Sequence, residues 1–376
     1  MLKRNIFCMY AISLLQGMVF YAPVATLYRR AAGVSVFEIS VIEAVSLALC
    51  VALEVPWGYL ADRLGYRRTM VLCSVLYFIS KLVFWQADSF GDFLAERVLL
   101  AVVQSGISGV DSAVLYLSCR GQDSLRVFSV YNALSMAGLV AAGGVFALLP
   151  ADSYRLSALL TAGSYALALV FALGLREVRD PEPAPSRGSF AAAARQALGG
   201  GVLPLLAGAA LLAEVCQVAT VFLNQLKYEA CGMGQQAMSA AYVAASLLGL
   251  AGAFSPALAR RLGRRGAAVF CALVCLAGCG VLAVTAFAPA AVASVLALRT
   301  SSSLLAPLTD EERNRRLHTK DRASALSVQA MVMECFAIGT NLALGALAQR
   351  SLAAAFVFGA LLSAAGLGLL LYRRRA

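Results

Sequence analysis

Acidic, amide and guanidinium side chains interrupt several long apolar runs of this sequence. An ionisable group inside a membrane is costly and usually faces a cavity or a partner. Removal from water favours the protonated form of a carboxyl group, so such a group can take up a proton on one side of a membrane and release it on the other. The candidates are Glu43 in the second run; Arg97, Gln104 and Asp111 in the fourth; Glu214, Gln217, Asn224 and Gln225 in the seventh; and Glu334 and Asn341 in the eleventh.

The spacing of these residues predicts shared helix faces. Arg97, Gln104 and Asp111 are seven residues apart, which places them on one stripe of a helix with 100° between residues. Glu334 and Asn341 repeat that spacing, and the four residues of the seventh run fall within about 100° of one another. We therefore expect proton or substrate sites on these faces, with Glu214 and Glu334 near the middle of their runs.

No catalytic or metal motif accompanies these residues. The sequence has no HExxH, nucleophile elbow or phosphate-binding loop, and His318 is its one histidine. Cys271, Cys275 and Cys279 recur every four residues, a pattern typical of packing along a helix. We expect no metal, no cofactor and no enzyme activity.

The composition is that of a membrane protein. Of 376 residues, 61% are hydrophobic and 14% are charged, with a mean hydropathy of +0.78, whereas a soluble domain has about 25% charged residues. The apolar runs have the length that spans a bilayer. Twelve spans are predicted, near 6–28, 36–61, 69–87, 91–118, 125–149, 154–176, 199–226, 235–259, 267–287, 290–309, 322–348 and 351–372.

The basic residues predict the orientation of these spans. With the N-terminus in the cytoplasm, 23 of the 31 Lys and Arg residues lie in inward loops and tails and 5 in outward loops, as the positive-inside rule requires. Both termini are therefore expected in the cytoplasm of a cell whose plasma membrane holds the protein. The net charge of +11 is then explained as a signal for membrane insertion, and we expect no nucleic-acid partner. The expected partners are the lipid bilayer, a small solute and protons. We expect the protein to be a monomer. Lys81, inside the third run, is expected to extend to the membrane surface.

One hydrophilic stretch divides the chain in the middle. Residues 177–198 contain three prolines and mixed charge, which favours a flexible cytoplasmic linker. The sequence thus predicts a six-helix bundle at 1–176, the linker at 177–198 and a second six-helix bundle at 199–376.

The turn between the second and third runs has a distinctive order of residues, EVPWGYLADRLGYRRTM at 54–70. Its glycines permit close helix approach and a positive φ. Asp62 suits a helix N-terminus or an arginine, and the basic side chains can bind carboxylates or lipid phosphates. The residues of interest are Gly58, Asp62, Arg63, Gly65, Arg67 and Arg68.

This turn resembles the loop signature of the major facilitator superfamily, with Tyr66 at a position that is usually basic. The segment PALARRLGRRGA at 256–267 is a weaker echo, in which Gly263 matches Gly65 and Arg261 matches Arg63, while Arg260 replaces the acid. The resemblance implies an all-α integral membrane fold of about twelve helices in two pseudo-symmetric six-helix bundles. It also implies a conformational-switch loop, in which Asp62 contacts the start of the eleventh span near Arg322. Helices one, four, seven and ten would line a central cavity.

Together these features predict a secondary transporter that works by alternating access. The favoured hypothesis is proton-coupled efflux of amphipathic or drug-like compounds, because aromatic and Met residues are abundant and charges within the spans are few. A proton-coupled symporter that imports a nutrient or metabolite is the alternative. A membrane-embedded enzyme or sensor is a remote third.

Overall fold

The computed structural model describes residues 2–119, 124–150, 152–178, 197–199, 202–316 and 322–372. Every secondary-structure element in these ranges is helical. The α-helices are α1 (Leu2–Gly17), α2 (Ala25–Ala31), α3 (Val36–Leu64), α4 (Tyr66–Gln86), α5 (Phe90–Ile107), α6 (Val110–Ser118), α7 (Ser124–Leu148), α8 (Tyr154–Leu173), α9 (Leu203–Gln217), α10 (Leu223–Ala230), α11 (Gln235–Leu248), α12 (Ser255–Val284), α13 (Ala288–Arg316), α14 (Arg322–Arg350) and α15 (Leu352–Leu371).

Eleven helical segments of the described chain are long and apolar enough to cross a membrane. One of them, Gln235–Val284, has 50 residues. At 1.5 Å per residue it would be about 75 Å long if straight, more than twice the hydrocarbon thickness of a bilayer. It is not straight, because Gly263 has φ 71° and ψ 157° inside α12. The segment therefore corresponds to the eighth and ninth of the twelve predicted spans.

The glycine turns in the two halves adopt the same backbone conformation. Gly65, between α3 and α4, has φ 86° and ψ 152°, close to the values at Gly263. A side chain would be strained at these angles, and glycine is the residue that adopts them readily. The predicted match of Gly263 to Gly65 is confirmed.

The described residues group into two compact units. Unit 1 contains Met1–Val34, Val45–Pro183 and Gln235–Ser246. Within it, the first span (α1) packs against α7 and α8, and α4 packs against α5 and α8. Met9, Met70 and Leu115 belong to a buried core that α1, α4 and α6 share.

Unit 2 contains Ser35–Ala44, Ala184–Gly234 and Leu247–Ala376. Here α9 packs against α14 and α15, and α12 packs against α13 and α15. In span order, the pairs 1–5, 1–6, 3–4 and 3–6 of the first half recur as 7–11, 7–12, 9–10 and 9–12 in the second. The same packing order in both halves indicates an internal structural repeat.

Each unit includes one segment from the other half of the sequence. In unit 2, the start of α3 lies against the end of α14, and the Val36 N–H donates to Gln349 Oε1 at 2.9 Å. In unit 1, Ser239 of α11 donates to the Gly143 carbonyl of α7 at 2.6 Å. The contact groups therefore differ from the sequence halves by these two helix beginnings. The boundaries at 1–176, 177–198 and 199–376 stay a prediction, because residues 179–196 are outside the described ranges.

Candidate functional site

In the switch loop, Arg67 binds the C-terminal end of α8. Its Nε donates to the Leu175 carbonyl at 2.7 Å and its Nη2 to the Leu173 carbonyl at 3.5 Å. Leu173 is the last residue of α8, so the guanidinium cation lies at the negative end of that helix. The Arg67 side chain thus binds backbone carbonyls, while its backbone N–H donates to Glu177 Oε1 at 3.4 Å.

Arg265 makes the corresponding contact in the second half. It follows Gly263 by two residues, as Arg67 follows Gly65, and its Nη2 donates to the Leu371 carbonyl at 3.1 Å. Leu371 is the last residue of α15. A Gly-x-Arg segment therefore caps the sixth span of each half.

The rest of the predicted switch is only partly described. Arg63 and Arg68 are exposed. Gly58, Asp62 and Arg322 belong to stretches whose side chains are outside the described part of the chain. The contact between Asp62 and the start of the eleventh span stays a prediction.

Unit 2 brings three of the candidate carboxylates together. Asn341 of α14 donates its Nδ2 hydrogen to Glu214 Oε1 of α9 at 2.9 Å, and these side chains are 2% and 8% exposed. Glu334 and Glu43 act electrostatically on Glu214. Glu43, which is 4% exposed, lies at the start of α3, within unit 2. The two polar stripes predicted for the seventh and eleventh spans therefore meet at the Glu214–Asn341 hydrogen bond.

The seventh span is not a regular helix between its polar residues. Val218–Phe222 forms a π-helical turn in which the Leu223 N–H donates to the Val218 carbonyl, five residues earlier. π-Helical turns are rare in proteins, and many of those that occur lie at functional sites. The wider turn changes the rotation between the residues before it and those after it: Asn224 and Gln225 are buried, while Gln217 is exposed.

Two buried polar groups follow this turn. Asn224 Oδ1 and the Tyr228 hydroxyl have no hydrogen-bond partner among the described residues. Gln225 donates its Nε2 hydrogen to the Val221 carbonyl at 3.1 Å, inside the π-helical segment. The C-terminal part of the seventh span therefore contains two buried polar groups, in addition to Glu214, that can still form hydrogen bonds.

The stripe predicted for the fourth span is broken. The span consists of α5 and α6, separated at Ser108 and Gly109, where Gly109 has φ +83°. Asp111 lies in the first turn of α6, where its Oδ1 accepts the Ser112 N–H at 2.6 Å. A carboxylate in this position stabilises the helix N-terminus. Arg97 is partly buried and Gln104 is exposed, both on α5.

The expectation that Lys81 extends to the membrane surface is wrong. Its side chain is buried in unit 1, where Nζ donates to Glu96 Oε1 and to the Tyr21 hydroxyl, each at 3.0 Å. It also lies 5.6 Å from the centre of the Tyr165 ring, within cation–π range. The positions of the two residues along their helices could have predicted this pair. Lys81 lies five residues before the end of α4 and Glu96 six residues after the start of α5, so both lie at a similar depth in the membrane.

The described residues include a buried acid site in unit 2. They contain no group of three His, Cys, Asp or Glu side chains placed to hold a metal ion. A buried carboxyl with an amide donor and two further acids nearby can exchange a proton or bind a cation. The role of these residues in transport stays a prediction.

Comparison with known proteins agrees with this architecture. The sequence profile of the Major Facilitator Superfamily matches residues 6–309, and no curated protein matches the chain. Among solved structures, the nucleoside transporter NupG has a TM-score of 0.80 at 15% identity, with 98% of this chain and 100% of that chain covered.

Two further structures show the same fold. A POT family transporter in complex with 5-aminolevulinic acid has a TM-score of 0.72 at 15% identity, over 98% of this chain and 94% of its own. A bacterial homologue of the human lysosomal transporter Spinster gives 0.69 at 15% identity, over 98% and 93%. With the family profile covering most of the chain and transporters sharing the whole fold, this protein belongs to the Major Facilitator Superfamily and is a multi-pass membrane transporter.

Proposed function

We propose that this protein is a proton-coupled secondary transporter in which Glu214 carries the proton. The observation that supports this most is the buried hydrogen bond from Asn341 to Glu214. The amide Nδ2 donates a charge-assisted hydrogen bond to the carboxylate, whereas the protonated carboxyl keeps an acceptor oxygen and gains an O–H donor. A change of protonation therefore changes the strength of the contact between α9 and α14.

The two other acids support the assignment to protons. Glu334 lies on α14, seven residues before Asn341, and Glu43 lies in the part of α3 that belongs to unit 2. The one histidine of the sequence, His318, lies in the predicted loop before the eleventh span. A proton carrier within the spans is therefore a carboxyl group.

The direction of transport is proposed to be export, and the solute amphipathic. The chain has 18 Phe, 13 Tyr and 9 Met residues, which suit apolar and aromatic solutes better than sugars. The similar solved structures include transporters of nucleosides and one with bound 5-aminolevulinic acid, so the same fold serves different solutes. Import of a nutrient with protons is the second candidate, supported by the number of carboxylates in unit 2.

A transport assay in everted membrane vesicles tests this proposal. With a respiration-driven, acidic interior, vesicles that contain an exporter should accumulate a fluorescent amphipathic dye, and an uncoupler should release it. Vesicles without the protein give the background. Uncoupler-sensitive accumulation in right-side-out vesicles, with none in everted vesicles, would assign import instead. Accumulation that ignores the uncoupler would contradict proton coupling.

Both termini are proposed to lie in the cytoplasm of the producing cell. A cysteine placed at Asp152 or Gly232, in a variant without accessible native thiols, should react with an impermeant maleimide in intact cells. Cysteines at the termini or in residues 177–198 should react only after permeabilisation. Labelling of the linker in intact cells, or protection of both outer positions, would contradict the orientation.

A further inference from the structure

Arg299 lies deep in a membrane-spanning helix. It is the twelfth residue of α13, which begins at Ala288 and ends at Arg316. With a rise of 1.5 Å per residue, it is about 16 Å from the start of the helix, which is half the thickness of the hydrocarbon core. The side chain is partly buried.

The guanidinium of Arg299 has no polar partner within the described chain. No hydrogen bond, ion pair or ring contact links it to another described residue. Lys81, by contrast, is a buried cation within a membrane-spanning helix that has a partner: its Nζ lies 3.0 Å from Glu96 Oε1. A charge at this depth is costly and usually faces a cavity or a partner, so Arg299 is a candidate binding group for an anion.

The backbone is shaped to receive this side chain. Gly249–Phe254 forms a 3₁₀ helix that packs against α13. A 3₁₀ helix has three residues per turn, so Gly249, Gly252 and Ser255 lie on one face. A Cβ at Gly249 would be 3.3 Å from Arg299 Nη2 and 3.8 Å from its Cζ.

The next two positions of that face confirm the close approach. A Cβ at Gly252 would be 2.9 Å from the Ser303 carbonyl oxygen, and Ser255 Oγ donates to the Leu304 carbonyl at 2.8 Å. Small residues thus bring the two backbones together. Gly249 leaves the space that the guanidinium occupies.

We propose that Arg299 binds the carboxylate or phosphonate-like group of the transported solute. A planar guanidinium offers paired donors that match both groups. A lipid phosphate has the same chemistry but lies at the membrane face, about 16 Å away along the helix. This inference rests on the proposed transport function and defines its solute as an amphipathic organic anion or zwitterion. Arg299 binds the anionic group, while Glu214, on the adjacent helix α9, exchanges the proton.

The test uses purified protein in phosphatidylcholine nanodiscs and a matched set of aromatic probes. Benzoate and phenylphosphonate carry the anion, and benzamide is the uncharged counterpart of benzoate. Each anion at about ten times its Kd should raise the Tm of the wild type by roughly 2 °C or more, and benzamide should not. R299Q should weaken benzoate binding at least about tenfold, the loss expected for a charge-assisted hydrogen bond.

Two variants keep the charge and decide the case if R299Q fails to fold. R299K retains the cation without the planar fork and should weaken benzoate binding at least about tenfold. G249A places a Cβ 3.3 Å from Nη2, which displaces the end of the side chain by a few tenths of an ångström, so it should weaken binding by less than R299K. R350Q removes an exposed arginine at the end of α14 and should bind like wild type.

The alternative outcomes are distinct. Failure of both anions to stabilise wild type more than benzamide overturns the assignment, as does wild-type binding by R299K and G249A. If phosphatidylglycerol nanodiscs stabilise wild type but not R299Q, while free anions have no effect, the partner is a lipid phosphate and the solute assignment falls. The binding assay contains no proton gradient, so its result is independent of proton coupling, which the vesicle assay measures.

Discussion

Replacing Lys81 by Met should destabilise the protein by about 3–5 kcal/mol, the cost of breaking a buried ion pair. The substitution keeps the volume of the side chain but leaves the carboxylate of Glu96 without its cation. Glu96 is 1% exposed, and its second oxygen has no hydrogen-bond partner among the described residues. The Tyr21 hydroxyl would also lose the ammonium that donates to it.

The double variant K81M/E96Q should recover most of this loss. It removes both charges, and uncharged replacements of a buried pair are often neutral. Thermal unfolding of the purified variants in one detergent gives the comparison. An exposed pair in the same unit, Arg155 with Asp88, is the matched control, and D88N should leave the unfolding temperature unchanged. If K81M unfolds like wild type, the buried pair does not hold α4 and α5 together.

The second large effect is expected from Glu214→Gln, which should abolish accumulation driven by a proton gradient. Gln preserves the volume and can accept the hydrogen bond from Asn341, so the fold and solute binding should survive. A transporter that moves one proton per solute can concentrate the solute about tenfold across one pH unit. In E214Q the internal and external concentrations should become equal, while exchange of labelled for unlabelled solute continues.

Proteoliposomes with an imposed pH gradient measure both activities. E334Q and E43Q are the comparison variants, because each removes one of the two other candidate acids of unit 2 and leaves Glu214 in place. Loss of exchange as well as accumulation in E214Q would indicate a structural defect. If E214Q and E334Q both concentrate solute like wild type, neither carries the proton, and Glu43 and Asp111 become the candidates.

The fold could be predicted from the sequence because its signals are local and strong. Apolar runs of bilayer length predict spans, and the glycine at the second-to-third turn predicts a positive φ that recurs at Gly263. The hydrogen bond between Glu214 and Asn341 could be predicted only in part from the sequence. The sequence predicts that both lie on polar stripes near the middle of their spans, but not that the two stripes touch.

The parts of the candidate site that the sequence did not predict depend on departures from regular helix geometry. Spacing by seven predicts one stripe for Arg97, Gln104 and Asp111, but Gly109 starts a new helix before Asp111. The π-helical turn at Val218–Phe222 likewise moves Gln217 away from the buried residues. Gly109 signals the first of these features in the sequence, whereas no residue pattern in Val218–Phe222 specifies the second.

The exchanged helix beginnings have a consequence for biogenesis. Gln235–Ser246 belongs to unit 1, where Ser239 donates to Gly143 of α7. A ribosome that has made only the first six spans has therefore not yet made the segment that completes this unit. Until the eighth span is made, the Gly143 carbonyl lacks this partner, and a polypeptide that ends after the first six spans never acquires it.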